Sequence, residues 1–405
     1  MKRWTCSRLR RRALLVATNA VNSLLVPLLN PIVSFLVVRW ASVGVWGAFV
    51  QVLIAVQLAA HVIGWGNKEY LLREFSLNPA RIAAAWQSSL ASRLVLYAAG
   101  CGMLLLGLPP ERALWLMAWG LGLVLAQSCD VFVVYRKDFA FASLVELAGL
   151  ATQVALLASL APRIDVDGLI AVFAVAALLK TGAYLARYRR QVWGKFAWLG
   201  RPGARYFALA LPFFLLGLSG LIQSRIDLYA VSAFLPKEQV GQYQVFTTLI
   251  LYVQSVSNLV LTPFLKGLYR LTYRSILGIS ARLFALGALI VLPGLAAVGV
   301  ALSLYFRFDL PPVFLLAGGL QALPVFFYLP IIYALYKAGA QVVVMKLNVL
   351  GIAVNFAGSV LLLPARGMMG AVIAAALAQW AMLAGYAWLS RSLREVRAAV
   401  VPELP

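Results

Sequence analysis

RYRRQVWGKFAWLGRPGAR, residues 187–205, is the most polar stretch in the middle of a 405-residue chain. Six long apolar runs lie on each side of it, and a run of about twenty residues crosses roughly 30 Å of hydrocarbon as a helix. The first half reads as spans over 13–38, 44–66, 86–107, 112–135, 139–161 and 168–186. The second half gives 206–234, 240–265, 277–303, 311–336, 341–363 and 367–390. The runs are continuous rather than alternating, which predicts α-helices and not the strands of a barrel. The expected organisation is an N-terminal six-helix bundle (1–186), a basic cytoplasmic linker (187–205) and a C-terminal six-helix bundle (206–405). An even number of crossings gives both halves the same orientation, so a pseudo-two-fold axis along the membrane normal follows. A short internal echo agrees: Gly47-Ala48-Phe49 opens the second span and Gly241-Gln242-Tyr243 opens the eighth.

Composition supports a membrane bundle. Hydrophobic residues make up 63% of the chain, charged residues only 12%, and the mean hydropathy is +0.89. Too few polar side chains remain to coat a soluble domain. The net charge of +22 would suit nucleic acid, but the cations are spread over short segments between spans, which argues against that partner. With the N-terminus cytoplasmic, 24 Lys and Arg fall on the inner side and 6 on the other. That asymmetry predicts a multi-pass inner-membrane protein with both termini cytoplasmic. The basic N-terminus followed by an apolar run from Ala13 reads as a retained first helix, not a cleaved signal. Cys6, Cys101 and Cys129 have no metal or disulfide spacing, so neither a metal nor another cofactor is expected. The loops are too short for an enzyme domain. The Gly pair in Ala317-Gly318-Gly319 lacks a phosphate-loop Lys, which argues against direct use of ATP.

Polar residues inside the spans fall in stripes. Asn19, Asn22, Ser23, Asn30 and Ser34 share one face of the first span, and Ser219, Gln223 and Asp227 share one of the seventh. The eighth carries Gln244, Thr247, Gln254, Ser255, Asn258 and Thr262; the eleventh carries Asn348, Asn355 and Ser359; the fifth carries Ser143, Glu146 and Gln153. Hydrogen bonds between helices explain such residues one by one. A water-filled cavity between the halves explains all five stripes together, and that is the expectation adopted. Pro27 and Pro31 suggest a kink in the first span.

Arg93, Lys180, Arg282 and Lys346 lie inside spans toward the cytoplasmic side, and Arg225 lies toward the outer end of the seventh. Near a helix end such cations can snorkel to the headgroups. Taken together they predict a cationic vestibule for an anionic, phosphate-bearing substrate. Glu146, with Asp130 and Asp227 behind it, is the expected coupling acid for H+ or Na+, unless each simply pairs with a neighbouring cation. His61, the single histidine, reads more simply as a packing residue.

Several segments together resemble a known group. They are Asn30-Pro31 through Arg39, Val45-Trp46-Gly47-Ala48-Phe49, Ala210-Leu211-Pro212, Arg225-Ile226-Asp227, and Val240-Gly241-Gln242-Tyr243 with Pro263 beyond. With the helix order, they resemble the polysaccharide-transport (Wzx-type flippase) branch of the multidrug/oligosaccharidyl-lipid/polysaccharide exporter superfamily. The resemblance implies two six-helix bundles in a V shape that work by alternating access. It implies an undecaprenyl-pyrophosphate-linked oligosaccharide as substrate, and a polysaccharide polymerase and chain-length regulator as partners. Lipid II flippases of the superfamily are similar too, with two extra helices as a rule. The competing expectations are a multidrug or metabolite exporter of the same superfamily and, in another class, a membrane polymerase or glycosyltransferase.

Overall fold

Helices form where the apolar runs are longest, and polar or cap-forming residues stop them. The computed structural model of the protein describes residues 31–161, 163–192, 204–261, 268, 271–338 and 340–400. Its helices are α1 (Pro31–Trp40), α2 (Val43–Gly64), α3 (Asn67–Leu77), α4 (Ile82–Gly107) and α5 (Pro110–Arg136). They continue with α6 (Phe139–Leu160), α7 (Val166–Arg187), α8 (Ala204–Phe234), α9 (Lys237–Leu261) and α10 (Tyr273–Val300). The last four are α11 (Pro312–Ala322), α12 (Pro324–Lys337), α13 (Gln341–Arg366) and α14 (Met368–Val400). Among the described residues eleven spans are long and apolar enough to cross a membrane, counting α2 with α3 and α11 with α12; α1 is a shorter apolar helix. The protein is therefore an all-α membrane protein, as the apolar runs predict.

Local chemistry sets several boundaries. Ser42 Oγ accepts from Val45 N at 3.1 Å to start α2, and Asp165 Oδ1 accepts from Gly168 N at 2.8 Å to start α7. Proline occupies the first turn of α5, where its missing N–H is no loss. Lys137 ends α5 in the left-handed region at φ 61°. Beyond Val300, α10 widens into a π-helical turn over Ala301–Phe306.

The chain forms two compact units, Met1–Leu218 and Ser219–Pro405, and the boundary falls inside α8. In the first unit Leu71, Phe75, Trp86, Phe132, Tyr184 and Tyr188 form one buried cluster. Helices α5 and α7 approach closely because Gly122 lies against Ala177, and Thr181 Oγ1 donates to the Gly122 carbonyl at 2.7 Å. Two ion pairs near helix ends, Arg112–Asp167 at 2.5 Å and Arg187–Asp138 at 3.0 Å, tie α5 and α6 to α7. In the second unit Gly358 sits against Ala374 between α13 and α14. Tyr328 stacks on Tyr386 at 5.1 Å and donates to Gln379 Oε1 at 2.6 Å.

The first unit also contains a sharp break between α2 and α3. Trp65 (φ 44°) and Gly66 (φ 65°) are both left-handed. For Trp65 that conformation costs about 1–2 kcal/mol, and its side chain supplies the compensation. Its ring stacks on Phe214 at 4.1 Å, and its Nε1 donates to the Phe207 carbonyl at 3.0 Å. A Cβ on Gly66 would fall 2.7 Å from Phe214 N and 2.8 Å from the Ala210 carbonyl oxygen, so only glycine admits α8 this close.

Candidate functional site

The ionisable residues of the spans collect in separate places within each unit. In the first, Lys180 Nζ on α7 donates to Glu146 Oε2 on α6 at 2.5 Å, with both side chains about three-quarters buried. Gly149 makes the pair possible, because a Cβ there would overlap the Lys180 stem. Thus Glu146, the expected coupling acid, and Lys180, an expected substrate cation, are partners. Asp130 on α5 is half-buried within the field of Lys68, Lys180 and Glu146.

Arg93 is wholly buried. Its Nη2 donates to Ser128 Oγ at 2.5 Å, and that hydroxyl donates in turn to the Val124 carbonyl. Trp86 Nε1 holds the Ser128 carbonyl at 2.8 Å, which fixes this stretch of α5 against α4. In this state Arg93 faces its own unit's interior and no open vestibule.

In the second unit Asp227 is buried and accepts from Tyr243 Oη at 2.6 Å, joining α8 to α9. Arg225, two residues earlier, is half-buried and lies within the field of Asp227, Tyr229 and Tyr252. Arg282 on α10 and Lys346 on α13 are exposed. The salt bridges among the described residues are Arg112–Asp167, Lys180–Glu146 and Arg187–Asp138, and none includes Arg93, Arg225, Arg282 or Lys346. Among the described residues no group of His, Cys, Asp and Glu could hold a metal ion.

The polar stripes divide by partner. Gln254 Nε2 donates to the Gln321 carbonyl at 3.0 Å, linking α9 to α11. Asn348 Nδ2 reaches Ser219 Oγ at 3.5 Å, and Gln223 Nε2 reaches the Met382 sulfur at 3.4 Å. Asn355 is buried and accepts from Ser359 at 3.2 Å within its own helix, while Asn258 is exposed. Ser143, Thr247 and Ser255 each donate to a carbonyl one turn back in their own helix. Asn19, Asn22 and Asn30, with Ser23, Pro27 and Thr262, lie outside the described residues.

Sequence reading did not find Tyr243 as the partner of Asp227, although Tyr243 stood in the quoted Val240–Tyr243 segment. It also missed Asn67, Ser89, Ser128 and Tyr206 around Arg93. Their only sequence signal is a set of polar residues on four different helices, and helical spacing does not relate one helix to another.

No family model and no curated protein matches the sequence. Solved structures do match. The lipid II flippase MurJ in an inward-closed conformation superposes with a TM-score of 0.74 at 11% identity, covering 93% of this chain and 87% of its own. A multidrug-resistance MATE family transporter of the MOP superfamily matches in its inward-facing conformation with a TM-score of 0.53 at 14% identity, over 95% of this chain and 100% of its own. An outward-facing structure so described matches with the same TM-score of 0.53 at 12% identity, over 96% and 97%. The chain therefore has the fold of this superfamily of multi-pass transporters. The structures that share it are described as transporters and flippases rather than enzymes.

Proposed function

We propose that the protein is a flippase that moves an undecaprenyl-pyrophosphate-linked oligosaccharide from the cytoplasmic to the periplasmic leaflet of a bacterial inner membrane. The glycan would serve surface polysaccharide assembly (O-antigen, capsule or exopolysaccharide), with a polymerase and a chain-length regulator acting next. One observation carries this reading: a fold shared over 93% of the chain with a lipid II flippase, itself a carrier of a lipid-linked precursor. The charge inside the spans agrees, with five cations (Arg93, Lys180, Arg225, Arg282, Lys346) against three acids (Asp130, Glu146, Asp227). Since Glu146 occupies Lys180 and Arg93 is enclosed, we assign the pyrophosphate to Arg282 and Lys346, the two remaining cations toward the cytoplasmic side. An H+ or Na+ gradient would drive the cycle through Asp130, Glu146 or Asp227.

The MATE neighbours favour a second reading, export of drugs or metabolites. Expulsion of cationic compounds calls for an acidic wall, and the excess of intramembrane cations speaks for the lipid-linked anion instead.

Reconstitution separates the two. In vesicles carrying a fluorescent polyprenyl-pyrophosphate oligosaccharide, the protein should expose the inner-leaflet pool to a membrane-impermeant quencher. Arg282→Ala combined with Lys346→Ala should slow that exposure about tenfold, the loss of roughly 1.4 kcal/mol of attraction at partly screened sites. A protected pool unchanged by the wild-type protein would overturn the flippase reading.

A further inference from the structure

Positive charge collects where α5 and α7 end. Arg136 is the last residue of α5, Lys137 caps it, and Arg187 is the last residue of α7. Arg189 and Arg190 follow in a one-turn helix, Arg189–Val192. All five cations are exposed. Asp138, the acid that follows Lys137, is taken by Arg187, whose Nε and Nη2 donate to its Oδ2 at 3.1 and 3.0 Å. No salt bridge among the described residues includes Arg136, Lys137, Arg189 or Arg190.

Loose, solvated side chains would account for such an excess, but this patch stands on a fixed floor. Val133, Tyr188 and Val192 are buried in one cluster, and Gln87 Nε2 on α4 donates to the Val192 carbonyl at 3.1 Å. The Arg136 guanidinium lies over the Tyr188 ring, 6.0 Å from its centroid. Gln191 donates its amide nitrogen to the Tyr188 carbonyl at 3.0 Å and accepts with its oxygen from Arg136 Nη1 at 3.2 Å. Arg189 and Arg190 occupy the two positions between Tyr188 and Gln191, the residues on which Arg136 rests. Like charges are thus kept close, and an anion among them would relieve their repulsion. Two further features point to the anion. Tyr135 is exposed and Phe139 and Phe141 are partly so, and aromatic rings of this kind mark the level of lipid headgroups. From Phe139 onward α6 leads away from the patch and exposes Leu144 and Leu147, three residues apart on one face.

From this we infer that the patch formed by Arg136, Lys137, Arg189 and Arg190 binds the phosphodiester headgroup of an anionic phospholipid, with its acyl chains along the exposed face of α6. The three guanidinium groups meet phosphate oxygens with paired donors, and Lys137 adds a point charge. A basic cluster beside the end of a span attracts anionic lipid in this way. The bound lipid ties the end of α5 to the end of α7. The patch belongs wholly to the first unit, whereas Arg282 and Lys346 belong to the second, so the inference does not depend on the flippase reading.

The test uses the purified full chain in detergent, titrated with phosphatidylglycerol or with phosphatidylcholine of the same acyl chains. Native mass spectrometry reads the fraction carrying one lipid. Phosphatidylglycerol should bind about tenfold more tightly or better. Arg136→Gln should weaken its binding about fivefold, and Arg189→Gln combined with Arg190→Gln about twenty-five-fold. Lys237→Gln combined with Arg366→Gln, which removes two exposed cations from the second unit, should leave it unchanged. A phosphatidylglycerol with a photoreactive headgroup should label residues 136–137 and 187–192 of the wild type, a readout that survives even if a variant fails to fold. Equal binding of the two lipids, undiminished binding in Arg189→Gln with Arg190→Gln, an equal loss in the second-unit control, or labelling confined to other segments would each overturn the inference. Water-soluble glycerophosphoglycerol binding as tightly as the intact lipid would also overturn it, since the site would then hold a free phosphodiester and not the bilayer. Transport activity plays no part in these readouts, so their failure leaves the proposed function standing.

Discussion

Glu146→Ala should destabilise the protein by about 3 kcal/mol, the low end of the range for stripping a partner from a buried ion pair, since both side chains keep some exposure. The loss comes mainly from Lys180, which would remain charged inside a span with its stem fixed across Gly149. The double replacement Glu146→Leu with Lys180→Met should therefore recover most of the deficit, because two apolar side chains need no compensation. Thermal unfolding in detergent of the wild type, Glu146→Leu, Lys180→Met and their combination measures the coupling as a double-mutant cycle. Additive losses would show that the pair contributes nothing. The conservative change Glu146→Gln keeps the shape and removes the charge, so it asks a different question. Altered dependence of transport on pH or on a sodium gradient would assign coupling to this pair, and an unchanged profile would move that role to Asp130 or Asp227.

Gly66→Ala should lose about 3 kcal/mol or more, from a left-handed backbone that disfavours a side chain and from overpacking against α8. The neighbouring atoms are the backbone of Phe214 and Ala210, which cannot rotate away as the end of a flexible side chain would. Relief requires α8 to move outward, and that movement would separate Trp65 from Phe214 and from the Phe207 carbonyl. The yield of monodisperse protein and its thermal midpoint should both fall. A fully stable Gly66→Ala variant would mean that α8 does not approach the break as closely as described.

Much of the fold was legible because hydrocarbon imposes one rule on the backbone. Continuous apolar runs gave 112–135 where α5 covers Pro110–Arg136, and 139–161 where α6 covers Phe139–Leu160. The break at Trp65–Gly66 was not legible: the apolar run simply ends there, and the polar segment after it reads as a loop although it forms α3 over Asn67–Leu77. Its helix is stabilised by Leu71 and Phe75 entering the buried cluster, which is a tertiary effect. The candidate site was legible only as a list of expensive residues. Helical period states which face a charge occupies, but not whether a neighbour brings Glu146 to Lys180 or encloses Arg93. The first depends on a small residue elsewhere, Gly149, whose role shows only when helices are placed side by side.

The boundary between the two compact units, at Leu218 and Ser219, has an implication for any attempt to exchange halves with a related carrier. The polar stretch before α8 looks like a natural seam, and a chimera would ordinarily be spliced there. Such a graft would import the opening four turns of a foreign helix, and with them the residues on which Trp65, Tyr70 and Arg93 rest. A splice placed in mid-helix, after Leu218, keeps each donor's own interior intact.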